Sequence, residues 1–286
     1  MPRPCYGTAK MRSGRFDEMD KPAHLADGAT RVYGIIGDPI AQVKSPGVFN
    51  EKFRALGKNA VMIPLHTKPA NFDACMRGLK SLVNLHGILV TLPYKNSVIA
   101  HADTVLPAAR RIGAVNALRR EADGRWSGDM FDGQGFLSGL RAHGFEPKDR
   151  SVMLIGAGGA GSAIADALGE AEAADITVFD RIEEKGRLLV EKITQTHSKC
   201  RAKSSEPSVV GKDLLINATP VGMASSDGLP VGVNSFDARL FVADIVPKPE
   251  VTPLLAAARN SGCRTMDGAA MVAGQADAIL RFFGLV

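Results

Sequence analysis

The chain has 286 residues, 45% of them hydrophobic and 23% charged, with a formal net charge of +5. This length can bury a sizeable core in one large or two smaller domains. Basic and acidic residues are interspersed after the first segment, which argues against nucleic-acid binding, and no apolar run reaches the roughly 20 residues of a membrane helix. The four cysteines are far apart, so neither a disulfide framework nor a metal site is indicated, and we expect a cytoplasmic protein.

Residues 1–30 are polar, interrupted by proline and glycine, and without periodicity. They are expected to form a mostly disordered extension, and a basic targeting segment is the alternative. They lack the apolar centre of a signal peptide.

From Arg31 the sequence alternates between strand and helix patterns. Short apolar runs predict strands, and amphipathic runs with capping residues predict helices. The predicted strands cover 31–37, 60–66 and 86–93, and the predicted helices cover 45–57 and 70–82. Ser45 is expected to cap its helix, with Pro46 in the first turn and Gly57 at the end. Residues 114–129 contain an Asp-Gly pair and predict a β-hairpin.

The second half opens with "SVMLIGAGGAGSAIADAL", residues 151–168, which predicts a strand, a glycine turn and a helix. Such a turn needs positive φ and lets the backbone approach a pyrophosphate at the helix N-terminus. A tight turn without a ligand is the alternative interpretation. The candidate cofactor-binding residues of this turn are Gly156, Ala157, Gly158, Gly159, Ala160 and Gly161.

Three further apolar runs, 175–180, 213–220 and 240–246, predict strands of a parallel sheet. The last segment, 268–284, predicts a helix that folds back on the first half. The expected fold is α/β with two domains. An N-terminal substrate domain would comprise 31–131 plus 267–286, and a C-terminal Rossmann dinucleotide-binding domain would comprise 132–266.

Asp180 stands at the end of the strand that follows the glycine turn. A carboxylate at this place accepts hydrogen bonds from the ribose hydroxyls of NAD and repels the 2′-phosphate of NADP. Arg181 comes next and is able to pair with that phosphate, so NADP stays an alternative. A purely structural role of Asp180 as a helix N-cap also stays open.

The chain carries in one order the motifs "GDPIAQVKSPGVFN", "GILVTLPYK", "IGAVNAL", "GDMFDGQG", "GAGGAG", "NATPVGM", "DIVPKPEVTPLL" and "DGAAMVAGQADA". Together they resemble the motifs of the shikimate and quinate dehydrogenase family, and the resemblance runs from Arg31 to Gly284. It implies a dehydrogenase that moves a hydride between a ring hydroxyl and a nicotinamide.

The resemblance implies that Lys95 and Asp132 are the catalytic pair. Oxidation of a carbinol releases a proton as well as a hydride, and an ammonium with a carboxylate beside the oxygen supplies acid-base capacity and charge stabilisation. Lys95 as a solvated surface lysine and Asp132 as a helix N-cap are the structural alternatives.

The other site residues are also implied by the resemblance. On the substrate side they are Ser45, Thr91, Asn116 and Gln275, and on the cofactor side they are Asn217, Thr219, Pro220, Met223 and Gly268. Taken alone, Asn116 could be a turn residue and Gln275 a polar position on an amphipathic helix.

The chain departs from the family pattern where the family holds its substrate. A usual His-Ser pair is Gln42-Val43, a usual tyrosine is Pro247, and usual asparagines are Leu89 and Met130. Phe131 likewise replaces a threonine. We expect Val43 and Met130 to line the substrate pocket, in which case shikimate would bind poorly, and the alternative is that Met130 and Phe131 belong to the core.

The sequence thus predicts an NAD-dependent dehydrogenase of this family, with NADP as the other cofactor. Its substrate would be shikimate, quinate or a relative, or a less polar ring in a divergent paralogue. A binding protein that senses a dinucleotide or metabolite without turnover is the competing hypothesis. The expected partner is a small molecule, with neither nucleic acid nor membrane involved, and the chain would be a monomer or a homodimer.

Overall fold

The structure is a computed structural model that describes residues 26–224, 227–230, 232 and 236–286. Most of the predicted extension, residues 1–25, lies outside the described residues. Thr30 is already buried, and its hydroxyl donates to Asn59 Oδ1 at 2.7 Å. Within the described part of the chain, no helix combines the length and the apolar character that crossing a membrane requires.

The first half forms a six-stranded sheet flanked by helices. Its strands are β1 (Arg31–Gly37), β2 (Ala60–His66), β3 (Leu85–Val90), β4 (Thr104–Val105), β5 (Ala117–Arg120) and β6 (Trp126–Asp129). Its helices are α1 (Ser45–Ala55), α2 (Phe72–Ser81) and α3 (Pro107–Ile112). The strand order is β2-β1-β3-β5-β6-β4, with β1 parallel to both neighbours and β5 antiparallel to β3 and β6. The predicted hairpin is therefore confirmed.

The second half forms a separate six-stranded sheet in which every pair is parallel. Its strands are β7 (Ser151–Ile155), β8 (Asp175–Phe179), β9 (Arg201–Ser204), β10 (Leu214–Asn217), β11 (Phe241–Asp244) and β12 (Arg264–Met266), in the order β12-β11-β10-β7-β8-β9. Its helices are α4 (Asp132–Ala142), α5 (Gly159–Glu170), α6 (Glu183–Thr196) and α7 (Pro253–Asn260), and α8 (Gly268–Phe282) ends the chain. Two sheets with helices confirm the predicted α/β fold with a Rossmann-type second half.

Each sheet is covered on both faces by apolar side chains. On the first sheet, one cluster joins Tyr33 to residues of α1 and α8 such as Phe53 and Ile279, and another joins Ile36 to α2 and α3. Because α8 buries its apolar face on the first sheet, the predicted return of the last helix is confirmed.

Helices α4 and α8 carry the chain between the two halves and pack closely against each other. A Cβ on Gly135 would lie 2.6 Å from Met271 O, and one on Gly274 would lie 2.4 Å from Gly135 O. Only glycine permits this approach. The first residue of α4, Asp132, is thereby placed next to Gln275 of α8.

The predicted N-cap Ser45 and the alternative N-cap Asp132 each lie one position inside their helices. The N-cap of α1 is Lys44 and that of α4 is Phe131, so Ser45 and Asp132 are the first residues inside their helices and cap no backbone N–H. Their side chains are free for other contacts. Gly57 has a φ of 61° just after α1, which agrees with its predicted role as a stop.

Candidate active site

A cleft runs between the two sheets at the carboxyl ends of their parallel strands. Its walls come from the segments that follow β1, β3, β7, β10 and β11, and from one face of α8. Ligands of open α/β sheets bind at this edge, because the loops there converge from several strands.

Lys95 and Asp132 meet in this cleft. The Lys95 Nζ donates a hydrogen bond to Asp132 Oδ2, and both side chains are nearly buried, at 12% and 2% exposure. Asp132 begins α4, where the positive end of the helix dipole stabilises a carboxylate. The structure therefore joins the two predicted catalytic side chains into one ion pair.

Asn116 links this pair to the neighbouring elements. Its Nδ2 donates to Asp132 Oδ1 at 2.7 Å and to Gln275 Oε1 at 2.8 Å, and its Oδ1 accepts from Phe131 N at 2.9 Å. Both N–H groups and the oxygen of its amide are thus hydrogen-bonded. Asn116 is a positioning residue for Asp132 and not merely a turn residue.

The loop that carries Lys95 is fixed from both sides. The neighbouring Tyr94 ring stacks on Phe72 with centroids 4.1 Å apart, and its hydroxyl donates to Thr67 O at 2.6 Å. The Lys95 carbonyl accepts from Val115 N at 2.7 Å. Lys95 is consequently held in place by backbone and aromatic contacts, which a solvated surface lysine lacks.

The predicted substrate residues Ser45, Thr91, Gln275 and Val43 all line the same cleft. Ser45 and Gln275 are buried, and Ser45 lies four residues before Phe49, which also faces the cleft from α1. These hydroxyl and amide groups surround the Lys95–Asp132 pair with neutral hydrogen-bonding partners.

The glycine turn between β7 and α5 is shaped by the absence of side chains. Gly156 has a φ of 102°, and a Cβ on Gly161 would lie 2.0 Å from Gly156 O. Gly158 is the N-cap of α5, and its own Cβ position has no atom within 4 Å. The backbone at the start of α5 is therefore open to a phosphate, which fits a dinucleotide.

The remaining cofactor residues divide between the cleft and its margin. Gly158, Gly159, Ala160, Thr219, Pro220, Met223 and Gly268 line the cleft, whereas Gly156, Ala157 and Gly161 form the turn beneath it. Asp180 lies outside the cleft lining and accepts from Ala157 N at 2.8 Å and from Ile182 N at 2.9 Å. Arg181 next to it is exposed.

The loop "NATPVGM" is anchored from below by Asn217, which is fully buried. The Asn217 Oδ1 accepts from Thr219 Oγ1 at 2.7 Å, and its Nδ2 donates to Asp244 Oδ1 at 3.0 Å. Asn217 therefore sets the position of Thr219 in the cleft wall.

Asp244 is a buried carboxylate that the sequence reasoning missed. It also accepts from Val246 N at 3.1 Å and from Thr252 Oγ1 at 2.6 Å. Burial outweighs these donors and raises the pKa of Asp244 to about 6. Its signal in the sequence was an acidic residue at the end of an otherwise apolar strand.

The expectation that Met130 lines the pocket is wrong. Met130 is 6% exposed and packs in the cluster around Ile36 and Trp126, while Phe131 lies 5.2 Å from the Phe282 ring in the other cluster. Neither residue reaches the cleft. The alternative reading of both as core residues is the one that the structure supports.

Three cleft residues of α8 were also missed, namely Met271, Val272 and Ile279. Met271 and Ile279 lie four positions before and after Gln275, so they share its face of the helix. The spacing of four residues from Gln275 could have predicted that Met271 and Ile279 line the cleft.

A dinucleotide turn and a buried Lys–Asp pair that line one cleft define a nicotinamide-dependent oxidoreductase. Two protein-family models match the sequence. The family described as shikimate dehydrogenase substrate binding domain matches residues 35–118, and the family described as shikimate / quinate 5-dehydrogenase matches residues 140–267.

Full-length relatives agree with these matches. The chain is 38% identical over 265 residues to the shikimate dehydrogenase (NADP(+)) of Gluconobacter oxydans (strain 621H), which covers 91% of this chain and 93% of the relative. The shikimate 5-dehydrogenase of Listeria monocytogenes, solved with shikimate and NAD, is 28% identical with a TM-score of 0.79, covering 93% and 94% of the two chains. A 5-ketofructose reductase of Gluconobacter sp. strain CHM43 is 29% identical with a TM-score of 0.76, covering 89% and 92%.

The chain belongs to the shikimate dehydrogenase family. The resemblance that the motifs carried is thereby confirmed, and the protein is an oxidoreductase that uses a nicotinamide dinucleotide.

Proposed function

We propose that the protein transfers a hydride reversibly between a secondary hydroxyl of a hydroxylated ring and a nicotinamide dinucleotide. The observation that carries this proposal is the Lys95–Asp132 pair, which lies in the same cleft as the open N-terminus of α5. The same cleft therefore offers acid-base groups and, next to them, backbone N–H groups for a pyrophosphate.

The pair accounts for the proton that leaves with the hydride. The ammonium of Lys95 stabilises negative charge on the reacting oxygen, and the Lys–Asp pair accepts the hydroxyl proton during oxidation and returns it during reduction. Asn116 keeps one oxygen of Asp132 in position. A nicotinamide dinucleotide, when bound, supplies the hydride acceptor.

The cofactor residues would be the glycine turn, which leaves space where a side chain would block a phosphate, and Thr219, Met223 and Gly268 along the same wall. We propose NAD as the preferred cofactor. Asp180 is hydrogen-bonded to the turn itself, so its negative charge lies close to the place where a 2′-phosphate would have to be. The exposed Arg181 is the residue that would favour NADP.

The identity of the ring is a separate question. The fold also hosts a protein named 5-ketofructose reductase, so the family does not fix one substrate. Shikimate, quinate and related hydroxylated rings all carry the secondary hydroxyl that the Lys95–Asp132 pair needs.

The proposed location is the cytoplasm. The free thiols of Cys75, Cys200 and Cys263 fit its reducing conditions.

Steady-state reduction of the dinucleotide over a panel of hydroxylated rings tests the proposal. Lys95→Ala and Asp132→Asn should each lower turnover by about 10²-fold or more, because each removes one member of the acid-base pair. The dinucleotide affinity of each variant, measured by titration, should stay within about a factor of two of that of the unmodified protein.

Two surface substitutions serve as controls. Lys58 and Asp277 are exposed and do not line the cleft, so Lys58→Ala and Asp277→Asn should keep full turnover. Near-normal turnover in Lys95→Ala and Asp132→Asn would remove these residues from the mechanism, and dinucleotide binding without turnover in the unmodified protein would favour a sensor.

A further inference from the structure

We propose that the natural substrate is a neutral hydroxylated ring that carries no carboxylate. The inference rests on the proposed function and concerns the part of the cleft that faces the rest of the ring.

One side of the cleft is an apolar wall formed by Ile35, Val43, Phe49, Leu89 and Ile279. These five residues belong to, or pack against, a single hydrophobic cluster and also line the cleft. The wall is therefore continuous with the core of the first sheet. Such a surface is complementary to the apolar face of a ring and offers no hydrogen bond to a charged group.

The polar groups beside this wall are few, and apart from Lys44 they are neutral. Ser45 and Thr91 contribute hydroxyls, and one of the two Gln42 amide N–H groups is already used, since Nε2 donates to Pro39 O at 2.7 Å. The start of α1 is a poor anion site because Pro46 removes one of its first backbone N–H groups. An ionised carboxylate, with about four lone-pair sites, would remain short of donors.

The charged side chains that line the cleft are Lys44, Lys95 and Asp132, so a substrate carboxylate would meet one lysine outside the Lys95–Asp132 pair. Of the described residues that line it, Lys44 and Lys95 are the ones that carry a positive charge. Lys95 is paired with Asp132, and Lys44 is half-exposed at the N-cap of α1. A substrate carboxylate would enter a partly desolvated site in which the nearest buried cation is already neutralised.

The polar network at the reacting end stays intact, with Asn116 and Gln275 both buried. The cleft therefore recognises hydroxyl groups at one end and apolar ring surface at the other. This division is what a neutral ring alcohol requires.

The test compares two rings that differ in charge, shikimate and its methyl ester. Their affinities for the unmodified protein would be measured by isothermal titration calorimetry with the oxidised dinucleotide present. One buried methyl group alone is worth about fourfold in affinity. We expect the ester to bind at least about 10-fold more tightly than shikimate, which exceeds that contribution.

The matched substitution is Val43→Thr, which keeps the shape of the side chain and adds a hydroxyl to the wall. It should raise shikimate affinity about 10-fold and leave ester affinity nearly unchanged. Val48→Thr is the control, because Val48 packs against the same cluster but does not line the cleft. It should alter neither affinity. Lys44→Gln tests the remaining cation and should change shikimate affinity by less than threefold.

Equal or tighter binding of shikimate, or no binding of either ring, would overturn the inference. So would an unchanged affinity ratio in Val43→Thr, or a selective loss of shikimate binding of 10-fold or more in Lys44→Gln. Tight binding of the ester without any dinucleotide reduction would support the neutral pocket and overturn the proposed function, so the two failures are distinguishable.

Discussion

Two neighbouring parts of the cleft, the reacting end around Lys95 and Asp132 and the cofactor end at the glycine turn, are built by different means. The reacting end depends on side chains, because Asn116 bonds to Asp132, Gln275 and Phe131 N at once. The cofactor end depends mainly on backbone geometry and on missing side chains, as at Gly156 and Gly161. Substitutions at the first end should therefore change the chemistry, whereas substitutions at the second should change the backbone and, with it, binding and folding.

The largest effect is expected at the backbone-built end. Gly161→Ala would place a Cβ 2.0 Å from Gly156 O, so the strand and helix must move apart. We expect unfolding free energy to fall by about 3 kcal/mol or more, and dinucleotide binding to be lost. Thermal melting and dinucleotide titration measure the two effects.

Gly78→Ala is the matched control within a helix. Gly78 lies in α2, and nothing is within 4 Å of its Cβ position. This substitution should raise the unfolding free energy by about 0.5–1 kcal/mol, because alanine is the better helix former. Equal effects of the two substitutions would contradict the idea that close backbone approach shapes the turn.

Asp244 is an exception at the cofactor end, because there a buried side chain, and not the backbone, accepts several hydrogen bonds. Its folded-state pKa of about 6 lies above the usual value of 3.8, so the folded protein holds this proton more tightly than the unfolded chain. The protonated Asp244 side chain contributes up to about 3 kcal/mol to the free energy of unfolding. This contribution is fully present below about pH 4 and is lost as the pH rises to about 6.

The measurement is urea unfolding of the unmodified protein and of Asp244→Asn at several pH values. The difference between the two unfolding free energies should change between about pH 4 and 6 and be flat above. A difference that stays constant over this range would mean that Asp244 does not bind the proton as described.

At the side-chain end, Asn116→Ala should lower turnover by about 10- to 100-fold, since Asp132 loses the donor that orients it. Dinucleotide affinity should persist because Asn116 belongs to the other end of the cleft. Asn71→Ala, at the exposed start of α2, is the control and should change neither turnover nor dinucleotide affinity. A parallel loss of dinucleotide affinity would show that the two ends are not independent.

The smallest effect concerns cofactor choice. Catalytic efficiency with NAD should exceed that with NADP by about 10-fold, and Asp180→Asn should narrow the gap by removing the charge while keeping an acceptor oxygen. Arg181→Ala should lower the efficiency with NADP and leave that with NAD. A preference of the unmodified protein for NADP would mean that Arg181 outweighs Asp180.

The sequence predicted long, buried elements better than short or exposed ones. Strands such as β1 and β10 are apolar and were recognised, whereas the edge strand β9, "RAKS", is largely exposed and carries no apolar pattern. Lys95 and Asp132 were predicted from motifs because both flank recognisable turns. Met130 was misplaced, since a motif gives the position of a residue but not the direction of its side chain.

Other features arise only from packing in three dimensions. The contact of Asn116 with Gln275 joins residues 159 positions apart, and it depends on the close approach of α4 and α8 at their glycines. Asp244 accepts hydrogen bonds from Asn217, 27 positions earlier, and from Thr252, eight positions later, and these contacts depend on the fold. No local pattern encodes these meetings. The domain limits 31–131 plus 267–286 and 132–266 stay predictions.

A crystal structure with the dinucleotide and a ring alcohol bound tests the central claim most directly. The account predicts the reacting hydroxyl oxygen at hydrogen-bond distance, roughly 2.6–3.2 Å, from Lys95 Nζ or Asp132, and the pyrophosphate at the start of α5. A ring hydroxyl bound away from both side chains, or a dinucleotide bound elsewhere than the glycine turn, would contradict it.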